Sequence, residues 1–144
     1  MNGDTSAQAV STGATIAIEN TRSTAGYLTA GNHALTASGA AGGLGYGFSY
    51  ASGTLSVTPK ALTISATTNN KVYDASAAAT SSLSSDKLQN DVLVLSNTSS
   101  VFSDKNAGVG KTVTVSGLSI SGTDASNYNL TNVVASSTAD ITPK

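Results

Sequence analysis

Apolar and polar positions alternate in short runs along most of the chain. Ser56 separates Leu55 from Val57, and Thr114 separates Val113 from Val115. A period of two residues places aliphatic side chains on one face of a β-strand and hydroxyl side chains on the other. Similar runs predict further strands at 14–19, 33–37, 47–51, 62–65, 118–121, 128–134 and 138–142. The pattern therefore predicts an all-β chain.

Two segments depart from this alternation. The run Val92-Leu93-Val94-Leu95 is apolar at four consecutive positions, which predicts a central strand that is buried on both faces. Residues 75–90 begin with an alanine-rich stretch and end in a polar one, and they are the only segment that predicts a helical turn or two. Glycine- and asparagine-rich turn signals separate the remaining runs.

An internal repeat divides the chain into two modules. Both prolines occur in the same tripeptide, Thr58-Pro59-Lys60 and Thr142-Pro143-Lys144, and each is preceded by a Ser-Gly turn and a tyrosine-led strand. Proline lacks a backbone N–H and suits the end of a strand, so we place the boundary there. Residues 1–60 are predicted to be a partial or short β module, equivalent to the later part of such a unit, and 61–144 a complete one.

The strand count alone leaves the sheet topology open. Tandem small β modules of a β-grasp-like type or an immunoglobulin-like sandwich type are both compatible with it. The alternation around 33–37 also occurs in parallel β-helices, which remain a third option for the first module.

Composition restricts the partners. Charged residues make up 10% of the chain, the formal net charge is −1, and the few basic residues are scattered singly. The sequence therefore predicts no binding to nucleic acid or to an anionic membrane surface. It has no apolar run of the length that a bilayer span requires, so no membrane insertion is expected. Residues 1–30 lack the pattern of a secretory signal, which indicates either a cytosolic chain or an internal piece of a longer protein.

Residues with catalytic or metal-binding chemistry are few. His33 is the only histidine, cysteine is absent, and His33 stands at the start of an alternating run, so we expect a strand or loop residue and no catalytic set. The run Gly108–Thr112 imitates part of a phosphate loop but precedes a strand pattern, so we expect a turn there. No cofactor is expected. Four acids are predicted to be solvated turn residues and not metal ligands: Asp86, Asp91, Asp104 and Asp124.

The tyrosines are the candidate site residues. Aromatic residues make up only 5% of the chain, so Tyr73 and Tyr128 are each expected to anchor a core, with the phenol hydroxyl group reaching a backbone partner. Exposed tyrosines such as Tyr46 would instead favour a binding surface, on which aromatic rings stack against sugars. These three residues are therefore predicted to be either binding or structural aromatics.

Six stretches of the second module have the character of a known repeat: Lys71-Val72-Tyr73-Asp74, Ala78-Ala79-Thr80, 102–111, 113–118, 124–130 and Ile141-Thr142-Pro143. They resemble the YDG-type repeat, and residues 25–60 resemble the end of the related MBG repeat. Two departures stand out, because Ala75 replaces the usual Gly of Tyr-Asp-Gly and Asn90 replaces the usual Gly of Gly-Asp.

This resemblance implies a function outside catalysis. Such repeats occur in tandem within long secreted bacterial adhesins, including filamentous-haemagglutinin-like exoproteins. It therefore implies a secreted, non-enzymatic spacer or stalk on the bacterial cell surface, which contributes to cell adhesion or biofilm and has neighbouring repeats as partners. The alternative is an adhesin module that binds a glycan or a host surface protein directly.

Overall fold

Strands dominate the fold, as the alternation predicts. The computed structural model describes residues 10–144, in which the only helical element is a short 3-10 helix, Ala125–Asn127. The all-β prediction is confirmed. Within residues 10–144, no helix is long and apolar enough to cross a membrane. The described residues form fifteen strands, which are β1 (Val10–Thr12), β2 (Thr15–Ile18), β3 (Gly31–Ser38), β4 (Ala41–Gly42), β5 (Gly53–Val57), β6 (Lys60–Leu62), β7 (Ile64–Thr68), β8 (Lys71–Val72), β9 (Ser81–Ser85), β10 (Val94–Ser96), β11 (Ser99–Phe102), β12 (Gly108–Ser116), β13 (Ser119–Ser121), β14 (Tyr128–Leu130) and β15 (Val134–Thr142).

The described chain divides into two compact units. Unit 1 contains the described residues up to Arg22 together with Leu28–Thr58, and unit 2 contains Ser23–Tyr27 together with Pro59–Lys144. Unit 2 therefore includes a five-residue segment that is distant in sequence from the rest of it.

The part of unit 1 that the structure describes contains two small antiparallel sheets. One has the strand order β2-β3-β5, and the other pairs β1 with β4. All of these pairings are antiparallel, so the parallel β-helix is wrong for the part of unit 1 that the structure describes. The predicted strand at 47–51 is also wrong, because the next strand, β5, begins only at Gly53.

Unit 2 is built around a four-stranded sheet of order β11-β12-β15-β8. Its outer strand β8 runs parallel to β15, and β14 runs parallel to β6. Apolar side chains of β7 and β9 pack against the core of this sheet, which gives two β layers. The residues of the core cluster are Ile64, Phe102, Val113, Val115, Leu118, Ala139 and Ile141.

The strand pairings of unit 1 recur in unit 2. The order β2-β3-β5 corresponds to β11-β12-β15, and the pair β1-β4 corresponds to β10-β13. In register, Ile18 pairs with Leu35 as Phe102 pairs with Val113. The first unit thus has the strand pairings of the second half of unit 2.

Two predicted elements are wrong. Residues 92–95 do not form a buried central strand, since only Val94 and Leu95 enter the short strand β10 and Val92 and Val94 are exposed. The backbone N–H of Val92 donates to Asp124 Oδ2 and its carbonyl oxygen accepts from the Asp124 N–H, so strand pairing begins only beyond it. The predicted helical turn within 75–90 is also absent, because the extended strand β9 occupies its centre.

Candidate functional site

Tyr128, one of the two candidate tyrosines in unit 2, lies at the centre of a buried cluster of polar side chains. Tyr128 opens β14 directly after the 3-10 helix, and only 7% of its surface is exposed. Its hydroxyl group donates to Asp91 Oδ2 at 2.6 Å and accepts from the backbone N–H of Leu88 at 3.0 Å. The hydroxyl group therefore does reach a backbone partner, but its shorter hydrogen bond is to a carboxylate.

Two of the four acids are buried, contrary to prediction. Asp91 is 3% exposed and Asp124 is 2% exposed, whereas Asp86 and Asp104 are exposed. The exposed pair form surface ion pairs, Asp86 with Lys60 and Asp104 with Lys111. Within residues 10–144, no group of three or more histidine or acidic side chains is placed to hold a metal ion.

Each oxygen of the two buried carboxylates accepts a hydrogen bond from within unit 2. Asp91 Oδ1 accepts from Ser23 Oγ at 2.7 Å and from the Ala25 N–H at 3.0 Å. Asp124 Oδ1 accepts from the Thr24 N–H at 3.0 Å, and its Oδ2 accepts from the Val92 N–H at 2.8 Å. The carboxylates remain buried because backbone and hydroxyl donors replace the water that they lose.

The donor segment Ser23–Tyr27 is itself a tight turn. The Ser23 N–H donates to the Tyr27 carbonyl oxygen, and the Gly26 N–H donates to the Ser23 carbonyl oxygen. Gly26 has a φ of 87°, a conformation that glycine adopts without steric cost. This turn directs the two N–H groups and the Ser23 hydroxyl toward the carboxylates.

The hydrogen bonds determine the charge state of the cluster. Burial raises the pKa of Asp91, but hydrogen bonds from Tyr128, Ser23 and Ala25 outweigh it, so the pKa lies below its usual value. The hydrogen bond from Val92, followed by those from Thr24, lowers the pKa of Asp124. Burial and the hydrogen bond to Asp91 raise the pKa of Tyr128 to about 12. At neutral pH the cluster therefore holds two carboxylates and a neutral phenol.

The residues around Tyr73, the other candidate tyrosine of unit 2, form a second cluster of hydrogen bonds, which is centred on the Lys71 ammonium group. Lys71 Nζ donates to Asp74 Oδ1 and to the carbonyl oxygens of Ser76 and Ala78 at 2.8, 2.8 and 2.9 Å. It also lies 5.6 Å from the centroid of the Phe102 ring. Tyr73 is half-buried and packs against the core cluster. The motif thus holds the loop 73–79 in place, beside a cavity of about 420 Å³ lined in part by Asn69, Asn70 and Thr80.

The candidate residues of unit 1 lie apart from these clusters. Tyr46 is 46% exposed, in a segment without regular strand structure. His33 lies in β3, as the alternation predicts, and is buried. Its Nε2 donates to the Thr29 carbonyl oxygen at 2.7 Å, and its Nδ1 is hydrogen-bonded to Thr21 Oγ1 at 3.1 Å.

The residues that sequence reasoning missed are the buried carboxylates and their donors. Asp91 and Asp124 both lie within family-like stretches of the sequence, which was the available signal. Nothing in the sequence connects them to Ser23, which is 68 residues from Asp91. The predicted turn between strands at Gly108–Thr112 is wrong, because these residues lie within strand β12, where the pairing with β15 shifts between Gly108 and Lys111.

The comparison with protein families agrees with these motifs. Residues 58–139 match the YDG domain, which is more than half of the 144-residue chain. The chain belongs to the YDG domain family. The match includes Lys71, Asp91, Asp124 and Tyr128, so both clusters lie within the YDG domain. No curated protein and no solved structure matches the chain.

Proposed function

We propose that this YDG chain is a segment of a tandem array of small β-units, which serves as a non-enzymatic spacer in a secreted bacterial surface adhesin. The observation that carries the proposal is the recurrence of strand pairings in the two units, each followed by a Thr-Pro-Lys tripeptide. Units that repeat in this way add length to a protein without requiring a new fold for each copy.

The placement of the polar groups supports a structural role. The Tyr128 cluster and the Lys71 cluster use their charged groups to hold loops of unit 2, and His33 has both ring nitrogens engaged in hydrogen bonds. The exposed positions of β7, and those of β12 from Thr112 onward, carry serine and threonine. These hydroxyl-rich strand faces of unit 2 give neighbouring units little apolar area by which to adhere to one another.

Small-angle X-ray scattering tests the spacer role. We would join two and then three copies of the whole chain end to end and measure the largest dimension of each monomer. A spacer gains the same length with each added copy. A dimension that grows only as the cube root of the mass would contradict the proposal, because the copies would then have collapsed into one globule.

The location on the cell surface needs a separate experiment. Antibodies raised against the chain should stain intact cells of the source bacterium without permeabilisation. Staining that requires permeabilised cells would remove the adhesin part of the proposal and leave the spacer role standing.

A direct binding role is the second candidate, and one feature of unit 1 favours it. Tyr46, Phe48 and Tyr50 are all at least 40% exposed within five residues, although the Tyr50 hydroxyl group bonds to the backbone of Ala40. Exposed aromatic rings stack on sugars and form anchors in protein interfaces. Binding to a glycan array that is lost in Tyr46→Ser, but retained in Tyr27→Ser, would favour this candidate.

A further inference from the structure

Unit 1 has the strands of a half repeat, and its apolar face is open. Ile16 is 72% exposed and Ile18 is 45% exposed. Both lie on β2, and with Leu35 and Ala37 of β3 they share one face of the sheet, since Ile16 pairs with Ala37 and Ile18 with Leu35. A shallow cavity of about 190 Å³ on this face is lined by Ile16, Leu35, Ala37 and the chain segment 51–53.

The corresponding face of unit 2 is closed. Phe102 occupies the position of Ile18 and Val113 that of Leu35, and these two residues are 3% and 0% exposed. Ile64 from β7 belongs to the same buried cluster as Phe102 and Val113, and Leu83 from β9 packs against that cluster. The difference between the two faces therefore comes from a second layer and not from the sheet itself.

The outer edge of the sheet in unit 2 is covered as well. The Ala79 N–H donates to the Ser100 carbonyl oxygen at 2.9 Å, and the Phe102 N–H donates to the Ala77 carbonyl oxygen at 2.8 Å. These hydrogen bonds add segment 77–79 beside β11. In unit 1 the corresponding strand β2 pairs only with β3 among the residues that the structure describes.

We propose that the face formed by Ile16, Ile18, Leu35 and Ala37 is a docking surface for the first half of another repeat. The occupant is a strand pair with the chemistry of β7 and β9, with isoleucine and leucine toward the face and serine and threonine away from it, followed by an extended alanine-rich segment along β2. The inference deepens the tandem-array proposal and rests on its repeat logic. It does not depend on the spacer role or on the cell surface.

A fusion that completes unit 1 tests the inference. In unit 2 the first half of the repeat leads into β10, which corresponds to β1 of unit 1. In the fusion, a copy of 59–93 therefore replaces residues 1–9 and continues directly into Val10, and the rest of the chain is unchanged. Hydrogen exchange is followed by mass spectrometry in peptides that cover β2 and β3. We expect exchange in β2 to become at least tenfold slower than in the original chain.

Two controls separate specific docking from a general effect of the added residues. The same fusion with Ile64→Asp and Leu83→Asp in the added copy should leave exchange in β2 unchanged, and so should Ile18→Asp in unit 1. Peptides from β12 report whether unit 2 remains folded in each variant.

Two outcomes would overturn the inference. The first is equal exchange in the fusion and in its aspartate control, while β12 stays protected. The second is a dimer of the original chain, detected by light scattering and lost in Ile18→Asp, because copies of unit 1 would then cover each other. Scattering lengths that grow with copy number would leave the spacer proposal intact in either case.

Discussion

Asp91 and Asp124 keep their charges inside unit 2 because their donors are preorganised. Two backbone N–H groups and one hydroxyl from the turn at 23–25 meet them, together with the Tyr128 hydroxyl and the Val92 N–H. Charge-assisted hydrogen bonds of this kind are roughly twice as strong as neutral ones. Burial of a lone carboxylate would be costly, but with these donors the Asp91 carboxylate links its own loop to the turn at 23–25 and to Tyr128.

The backbone φ angles also show how the chain accommodates Ala75 and Asn90, the two residues that depart from the family pattern. Ala75 has a φ of 64° and Asn90 has a φ of 73°, so both positions retain the left-handed conformation that glycine favours. Asparagine tolerates this region better than alanine does. The loops therefore keep their shape, and alanine carries the larger steric cost.

Restoring glycine at position 75 should stabilise the protein. We expect Ala75→Gly to raise the free energy of unfolding by about 1 kcal/mol, because the left-handed conformation then loses its steric penalty. Ala78 does not have a positive φ, so Ala78→Gly should lower stability by about 0.5–1 kcal/mol. Urea denaturation measures both variants. A loss of stability in both would show that position 75 does not carry this strain.

At the scale of elements, Lys71 and Asp74 hold the loop 73–79 against the edge strand β8. Lys71 lies on the edge strand β8, and its ammonium group gathers the carbonyl oxygens of Ser76 and Ala78. Asp74 Oδ1 accepts from Lys71 and also from the Ser76 N–H, which closes the turn around Ala75. The loop then delivers segment 77–79 to the outer edge of β11.

Removal of the Lys71 charge should release this loop. Lys71→Met keeps the length of the side chain but leaves two carbonyl oxygens without their donor, so we expect a loss of about 1–3 kcal/mol. Hydrogen exchange of the Ala79 and Phe102 amides should rise with it. Lys105→Met changes an exposed lysine and should alter neither quantity. Unchanged exchange in Lys71→Met would contradict the role assigned to the ammonium group.

At the scale of the whole molecule, the ionisable groups limit the pH range of stability. The pKa values of Asp91 and Asp124 are lowered by folding, so their contribution is complete above about pH 4 and is lost as the pH falls through the folded values. The pKa of Tyr128 is raised from 10.0 to about 12, so its contribution is complete below pH 10 and is lost between pH 10 and 12.

Tyr128→Phe should remove the alkaline limit of stability and keep the acid limit. The variant removes the hydrogen bond to Asp91, so we expect about 2–3 kcal/mol less stability at neutral pH. It should also lose much less stability than the parent between about pH 10 and 12, while its acid limit remains. Chemical denaturation across the pH range tests this, with Tyr27→Phe as the exposed control. An alkaline limit that is the same in Tyr128→Phe and in the parent would contradict the assignment.

The sequence by itself determined most of the strands, because alternation is a local property of the chain. Runs such as Val113–Val115 can bury one face only if they are extended, and the tripeptides that end at Lys60 and Lys144 mark the repeat regardless of the sheet topology. The family motifs likewise located Tyr128 and Lys71 without any coordinates.

The tertiary structure alone decided which polar groups are buried and which apolar groups are not. Asp91 and Asp124 occupy turn-like sequences, and their burial depends on donors that the chain brings from Ser23–Ala25, up to 100 residues away. The four apolar residues at 92–95 do not form a central strand because Asp124 bonds to the backbone of Val92. Ile18 and Phe102 occupy equivalent positions in the strand register, yet only Phe102 is covered by a second layer. Burial is a property of what packs against a residue, and a sequence pattern specifies only the face that a residue presents.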